Sequence, residues 1–266
     1  MIIRLLFLIV CFTNLLLSQP FSLLSNTERE LSVQKHLRFE LDNIDSLLIY
    51  RGFVVKYRYE SRIPEFTIHC LSFQQVNGNI LEKAKRRSGF FVDEVNLTDC
   101  SATNRDYKGS GYDRGHMVPA GDFYWDKQQK DETFSYANIA PQTANLNRGI
   151  WARLENLIRS KILSDTCEAI IITGNLLSES ETIGVNHVGV PDYYYKIIYL
   201  PTQELMYAFL FFNQFANYDN NLRYYQVTVN NIENISGNNF FEKIDDKVEE
   251  KLESTLFNLS SLNVIE

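Results

Sequence analysis

Apolar and polar positions change rhythm several times along this chain, and each change marks an element. The stretches "GFVVKYRYE" (52–60) and "FTIHCLSFQQV" (66–76) are rich in β-branched and aromatic residues. They predict two strands, with Arg62-Ile63-Pro64 turning between them. From Asn147 the period lengthens: in "NRGIWARLENLIRSKIL", Ile150, Leu154, Leu157 and Ile158 recur at helical spacing. "EAIIITGNL" (168–176) then predicts a buried strand, and "DYYYKIIYL" (192–200) with "LMYAFLFF" (205–212) an antiparallel pair through the core. "YQVTVNNIENISG" (225–237) is expected to be a further strand and short turn. The tail "FEKIDDKVEEKLESTLF" (241–257) is an amphipathic, strongly charged helix. Residues 26–50 mix polar and apolar positions and predict an N-terminal arm or helix. "SATNRDYKGSGYDRG" (101–115), studded with Gly, Ser, Asn and Asp, predicts a long loop leading into a short strand. Strands and helices mix without a regular βαβ alternation, which favours a single α+β domain over 49–266 behind an arm over 20–48.

The first residues, "MIIRLLFLIVCFTNLLLSQP", run from one Arg through an apolar stretch to small and polar residues. That is the layout of a signal peptide over 1–19, with a signal anchor as the rival, although Thr13 and Asn14 interrupt the apolar run. Entry to the secretory pathway is the expectation. Removal of such a segment takes Cys11 with it and leaves Cys70, Cys100 and Cys167, either one disulfide plus a thiol or three thiols. A net charge of −7 over 266 residues excludes a blanket polycation. It still admits a local basic cleft.

Such a cleft has a source in the basic loop "KAKRRSG", which holds Lys83, Lys85, Arg86 and Arg87. It is either a patch for a polyanionic backbone or a solvated loop. The densest chemistry lies in "YDRGHMVPAGDF" (112–123). Phosphodiester hydrolysis needs an activated water, a cation to absorb developing charge, and donors that hold the phosphate. His116 titrates in the range of a general base at neutral pH. Arg114 has the fork geometry for phosphate oxygens. Asp113 is placed to hold the loop or orient a neighbour. Asn147 offers an amide oxygen at the start of the long helix. Glu155 and Arg159 stand one helical turn apart, an arrangement that suits a hydrated Mg²⁺ or an ordinary surface bridge.

"DYKGSGYDRGHMVPAGDF" followed by "TFSYANIAPQTANLNRGIWARLE" closely resembles the DNA/RNA non-specific endonucleases, the family that includes endonuclease G. The signature is Asp-Arg-Gly-His, then Asn-Ile/Val-x-Pro-Gln, then Leu-Asn-Gln-x-x-Trp and a Glu. The likeness continues through "IITGN", "NHVGVPDYYYKI" and "YQVTVNNIENISG", covering roughly residues 50–240. The resemblance implies a ββα-metal nuclease fold, a central antiparallel sheet flanked by helices. It implies His116 as general base, Asn147 as the single direct protein ligand of a hydrated Mg²⁺ (Mn²⁺ as a substitute), and Glu155 as holder of one of that ion's waters. Arg159 and Arg114 would contact phosphate or developing charge, and Asn138 would shape the metal site. A further Arg upstream belongs to the family's site. Arg87 is the choice here, with Arg86 nearly equivalent and Lys85 beside them in substrate binding.

One departure is Arg148, at a position commonly Gln in the family. It adds positive charge that either attracts phosphate or weakens cation binding. DNA and RNA are the implied substrates, with no small-molecule cofactor, and family members are often homodimers. Endonuclease G relatives are mitochondrial, which sets a second destination beside the secretory one. Two rival classes remain: a nucleic-acid-binding or inhibitory relative that has lost turnover, and a secreted structural protein. Outside the signature, His187 is read as structural or substrate-proximal. His36 and His69 have no motif around them, and a zinc site at His69-Cys70 lacks a second closely spaced pair. The tyrosines of "DYYYKIIYL" are expected to pack in the core or on the sheet rather than stack on bases.

Overall fold

A computed structural model of the chain describes residues 47–262, apart from 82–84, 86, 179–180 and 243. The apolar N-terminal segment, nearly all of the expected arm, Cys11, His36, Lys83 and Arg86 lie outside the described residues. The seven strands of the main sheet are β1 (Leu47–Ile49), β2 (Phe53–Arg58), β3 (Ile63–Ser72), β6 (Glu168–Leu176), β9 (Tyr193–Leu200), β10 (Leu205–Phe212) and β11 (Gln226–Val227). They pair antiparallel in the order β1-β2-β3-β6-β9-β10-β11.

Both faces of this sheet are covered, which is why its central strands are apolar at consecutive positions. In β6 and β9, Ile171, Tyr194 and Ile198 go to one core, while Ile170, Ile172, Tyr195 and Ile197 go to the other. The second core is closed by two helices, α5 (Val229–Ser236) and α6 (Asp246–Ser254), through Val229, Ile232 and Leu252. The first core is closed by α1 (Phe73–Leu81), the helix α4 (Ala152–Asp165) and a separate hairpin of β4 (Tyr112–His116) with β5 (Ile139–Thr143). Between them the chain forms the short helices α2 (Asn104–Tyr107) and α3 (Lys127–Glu132), and a small hairpin, β7 (Thr182–Ile183) with β8 (Val188–Gly189). The architecture is α+β with a central antiparallel sheet flanked by helices.

Several local expectations change. Residues 73–76 belong to α1 and not to a strand. Ser72 and Gln75 form a reciprocal cap there, Ser72 N donating to Gln75 Oε1 at 2.8 Å and Gln75 N to Ser72 Oγ at 3.4 Å. Residues 229–236 are helical as well, opened by Thr228 with Asn231 and stopped at Gly237, whose φ is +72°. Leu47–Ile49 is a strand of the sheet, although it falls at the end of the stretch expected to be arm or helix. Of the expected turn Arg62-Ile63-Pro64, only Arg62 precedes the strand: Ile63 and Pro64 lie inside β3, Pro64 next to a register shift at Lys56/Tyr57, where the ladder tolerates a residue without an N–H.

Candidate active site

The β4–β5 hairpin is docked on the sheet by polar bonds to Pro141. Tyr194 Oη donates to its carbonyl at 2.8 Å and Asn213 Nδ2 at 3.1 Å. Alternation along β4 sends Arg114 and His116 to one side and Asp113 and Gly115 to the other. Gly115 stands against Gln142: a Cβ there would lie 2.6 Å from the Gln142 Cβ and 3.1 Å from the Ala140 carbonyl. The hairpin therefore closes only with glycine between Arg114 and His116. The half-buried His116 ring packs against Phe90 (centroids 5.5 Å apart) and meets Phe134 edge-on (5.0 Å). Directly after it, buried Asn138 clamps the chain, accepting from Val118 N and donating to Val118 O and Thr133 O, each at 2.9 Å.

On the other side of β4, Asp113 gathers two partners from the segment that precedes α4. Asn147 Nδ2 donates to its Oδ2 at 2.9 Å, and Arg148 forks onto both oxygens at 2.7 and 2.5 Å. Partial burial alone would raise the Asp113 carboxyl, but these donors hold it below its ordinary range. Asn147 and Arg148 lie in a wide helical turn, Leu146–Trp151, bent at Gly149 (φ −101°, ψ −114°) before regular helix begins. The charge of Arg148, the family departure, is thus matched by Asp113.

One turn into α4, Glu155 points at the sheet. Burial pushes its carboxyl up to about 7, against the pull of Lys196 and Arg159. Lys196, from the middle of β9, is buried with its Nζ 2.6 Å from Thr173 Oγ1 and 4.6 Å over the Trp151 ring. Burial pushes this lysine down to about 8, opposed by Glu155 and Asp122. Arg159 donates Nη1 to Asp122 Oδ1 at 2.5 Å and Nη2 to Asn156 Oδ1 at 2.8 Å. The other Asp122 oxygen lies 2.9 Å from His69 Nε2. Burial would raise the Asp122 carboxyl, yet Arg159 and His69 bring it below the ordinary value. Burial lowers the His69 imidazole, only partly offset by Asp122.

The structure joins Asp113, Asn147 and Arg148 directly, and sets His116 three residues along the same strand, roughly 10 Å at about 3.3 Å per residue. Arg114 is held by aromatic rings, its guanidinium 5.5 Å from Phe90 and 5.2 Å from Tyr107, with Nε donating to Tyr136 Oη at 3.3 Å. Arg87 is placed differently. It stacks 4.2 Å over Phe91 and lines a cavity of about 390 Å³ with Lys127, Gln128, Asp131 and Glu132, while neighbouring Phe90 packs on His116. Lys85 is exposed. His187 is exposed at the β7–β8 turn with φ +53°, and Tyr194, Tyr195 and Tyr199 are buried in the sheet. Cys100 and Cys167 are free thiols.

Sequence reasoning passed over His69, Asp122 and Lys196. His69 was set aside for want of a motif, but its partner stands 53 residues away. Lys196 carried a legible signal: a lysine inside an unbroken apolar strand must find partners, because an unpaired buried charge is costly.

Among the described residues no group of three or more His, Cys, Asp or Glu side chains could hold a metal ion. The donor chemistry fits a hard cation that keeps most of its water. Since Asn147 spends its amide nitrogen on Asp113, its amide oxygen is the atom turned away from that carboxylate. Glu155 adds a second oxygen group two turns further along the chain.

Comparison with known proteins follows this geometry. The family model described as DNA/RNA non-specific endonuclease matches residues 35–247. Over 214 residues the chain is 34% identical to the mitochondrial nuclease EXOG of Xenopus laevis, a match covering 74% of this chain and 58% of that protein. It is 30% identical over 209 residues to Nuclease C1 of Cunninghamella echinulata var. echinulata, covering 73% and 82%. The match thus spans less than two thirds of the EXOG relative. A crystal structure of an EndoG/EndoGI complex superposes with a TM-score of 0.72 at 27% identity, covering 81% of this chain and 94% of that one.

Proposed function

The chain belongs to the DNA/RNA non-specific endonuclease family, and on that premise we propose that it is a Mg²⁺-dependent, sequence-non-specific endonuclease acting on both DNA and RNA. The observation that carries this reading is the bond between Asn147 and Asp113. It ties the strand bearing His116 to the segment leading into the helix that bears Glu155 and Arg159, so two distant parts of the signature are joined.

In this reading His116 takes a proton from the attacking water. Asn147, through its amide oxygen, would hold the hydrated Mg²⁺ (or Mn²⁺), with Glu155 accepting from one of its waters. When bound, such an ion would supply compensation for the charge that develops during phosphodiester cleavage. Arg159 and Arg114 complement the charge that grows on the phosphoryl oxygens, most effectively where water is thinned out around them. Asp113 and Asn138 fix the hairpin and the metal-facing amide in place. Lys85, Arg87 and Arg148 would attract the polyanion, and contacts confined to phosphate and sugar would leave little sequence preference.

The names of the EXOG relatives carry the word mitochondrial, which favours a mitochondrial destination as the alternative to the secretory one. The test of function is direct. Purified protein with Mg²⁺ is expected to nick supercoiled plasmid and degrade RNA, and a chelator to stop both. Intact plasmid and RNA at high enzyme concentration would leave a binding or inhibitory relative as the better account.

A further inference from the structure

We propose that Asp122 and His69 are positioning residues that hold Arg159 in register with His116. The inference rests on the nuclease reading for its reaction and on the buried contacts for its geometry.

Asp122 sits in the turn Ala120–Phe123, six residues after His116, so it belongs to the same length of chain as the proposed base. Its carboxylate is almost sealed from solvent, with a side-chain exposure of 3% against 0% for His69 and 18% for Arg159. One oxygen takes Arg159 Nη1 at 2.5 Å, and the other faces His69 Nε2 at 2.9 Å. A carboxylate held below its ordinary range only accepts hydrogen bonds, so His69 is the donor and carries its proton on Nε2. The turn also runs close to the guanidinium: a Cβ added at Gly121 would lie 3.1 Å from Arg159 Nη1.

These contacts do a specific job. A guanidinium has five N–H donors. Asp122 and Asn156 take one each and fix the plane of the group, leaving the others for a phosphate. Without Asp122 the side chain of Arg159 would swing about its long stem, and the entropy of freezing it would fall on the transition state. His69 has the complementary task. Anchored on β3 opposite Ile171, it stops the Asp122 carboxylate from rotating towards the next cation in the buried row, Lys196.

The test compares wild type with Asp122→Asn, His69→Gln and His69→Leu, and places Asp122→Asn also in an Arg159→Lys background, with Mg²⁺-dependent plasmid nicking as readout. Asp122→Asn is expected to lower kcat by up to about 100-fold, the scale of a misplaced catalytic group. KM should stay within about threefold, because the lost interaction belongs to the transition state. In the Arg159→Lys background the same change should cost less than about twofold, since coupled residues do not add. His69→Gln places an amide N–H near Nε2 and should recover most of the loss produced by His69→Leu. Wild-type kcat in a folded Asp122→Asn protein, or effects that simply multiply in the double variant, would overturn the clamp. A second readout does not depend on turnover. The buried His69 N–H should give a slowly exchanging proton resonance that shifts in Asp122→Asn, and an unmoved resonance also overturns the clamp. A wild-type protein that shows the resonance but cleaves nothing would instead sink the nuclease reading and leave the geometry standing.

Discussion

Asn147 reaches back to Asp113 with a 2.9 Å hydrogen bond, so the residue proposed to meet the metal is oriented by the strand that carries the proposed base. Loss of either partner should therefore register in the metal dependence. Asn147→Ala should raise the Mg²⁺ concentration for half-maximal nicking strongly, and Asp113→Ala by about 10- to 100-fold, the range for residues that orient a metal ligand. Mg²⁺ titrations of both variants check this, and an unshifted titration in Asn147→Ala removes it from the ion.

His116→Ala is expected to cost about 10²- to 10⁴-fold in cleavage, the contribution of a general base. Its fold should persist, because the half-buried ring packs on Phe90 and Phe134 without supporting a strand. Circular dichroism read alongside plasmid nicking separates the two effects. Robust residual cleavage would reject His116 as the base.

Arg148→Gln, which restores the residue common in the family, is a sharper probe than its place in the signature suggests. The guanidinium is largely exposed, at 72%, and already paired with Asp113. Such a pair is screened by water and salt, so kcat/KM should move by less than about fivefold. The change should shrink further as salt rises. A large, salt-independent loss would place Arg148 in the chemistry itself.

Gly115→Ala tests the hairpin. The added methyl would meet the Gln142 side chain and the Ala140 carbonyl, of which the carbonyl belongs to the paired strand and has least room to shift. Overpacking of this kind costs about 1–3 kcal/mol. A thermal melt should show Tm lowered by several degrees, with nicking reduced in parallel. An unchanged melt would mean that β4 and β5 separate more easily than their ladder implies.

Away from the site, Glu253 of α6 and Glu233 of α5 face one another across a helix pair. Burial, reinforced by the charges of Glu233 and Glu249, pushes Glu253 up to about 8. A carboxyl with a raised folded-state value adds stability that is complete below about 4.5, its unfolded value. That stability is lost as pH climbs through about 8. Glu253→Gln should consequently raise Tm at pH 8, change it little at pH 5, and flatten the profile between them. A wild-type profile that rises over this interval would contradict the pairing.

Much of this organisation can be read in the chain itself. β6 and β10 coincide with their apolar runs, and the signature holds three residues that meet in the structure, Asp113, Asn147 and Arg148. What escaped notice has two physical causes. The helices at 73–81 and 229–236 are rich in strand-favouring residues, and only their capping pairs, Ser72 with Gln75 and Thr228 with Asn231, announce the turn. The clamp on Arg159 is assembled from positions 69, 122 and 159, and no local rule of spacing connects them. Arg87 shows the converse. A position chosen by likeness to a family lies in the expected loop, yet its side chain turns to Phe91.

The main sheet tapers at the margin formed by β11, which is only two residues long. Long flat margins invite uncontrolled hydrogen bonding between molecules, and brevity is one of the ways natural proteins suppress it. Here the β11 rim offers so few amide and carbonyl groups that another polypeptide gains little by lining up beside it. Association of two molecules at this margin would then have to be built from side chains on the outer surfaces of helices and loops rather than from further strand pairing.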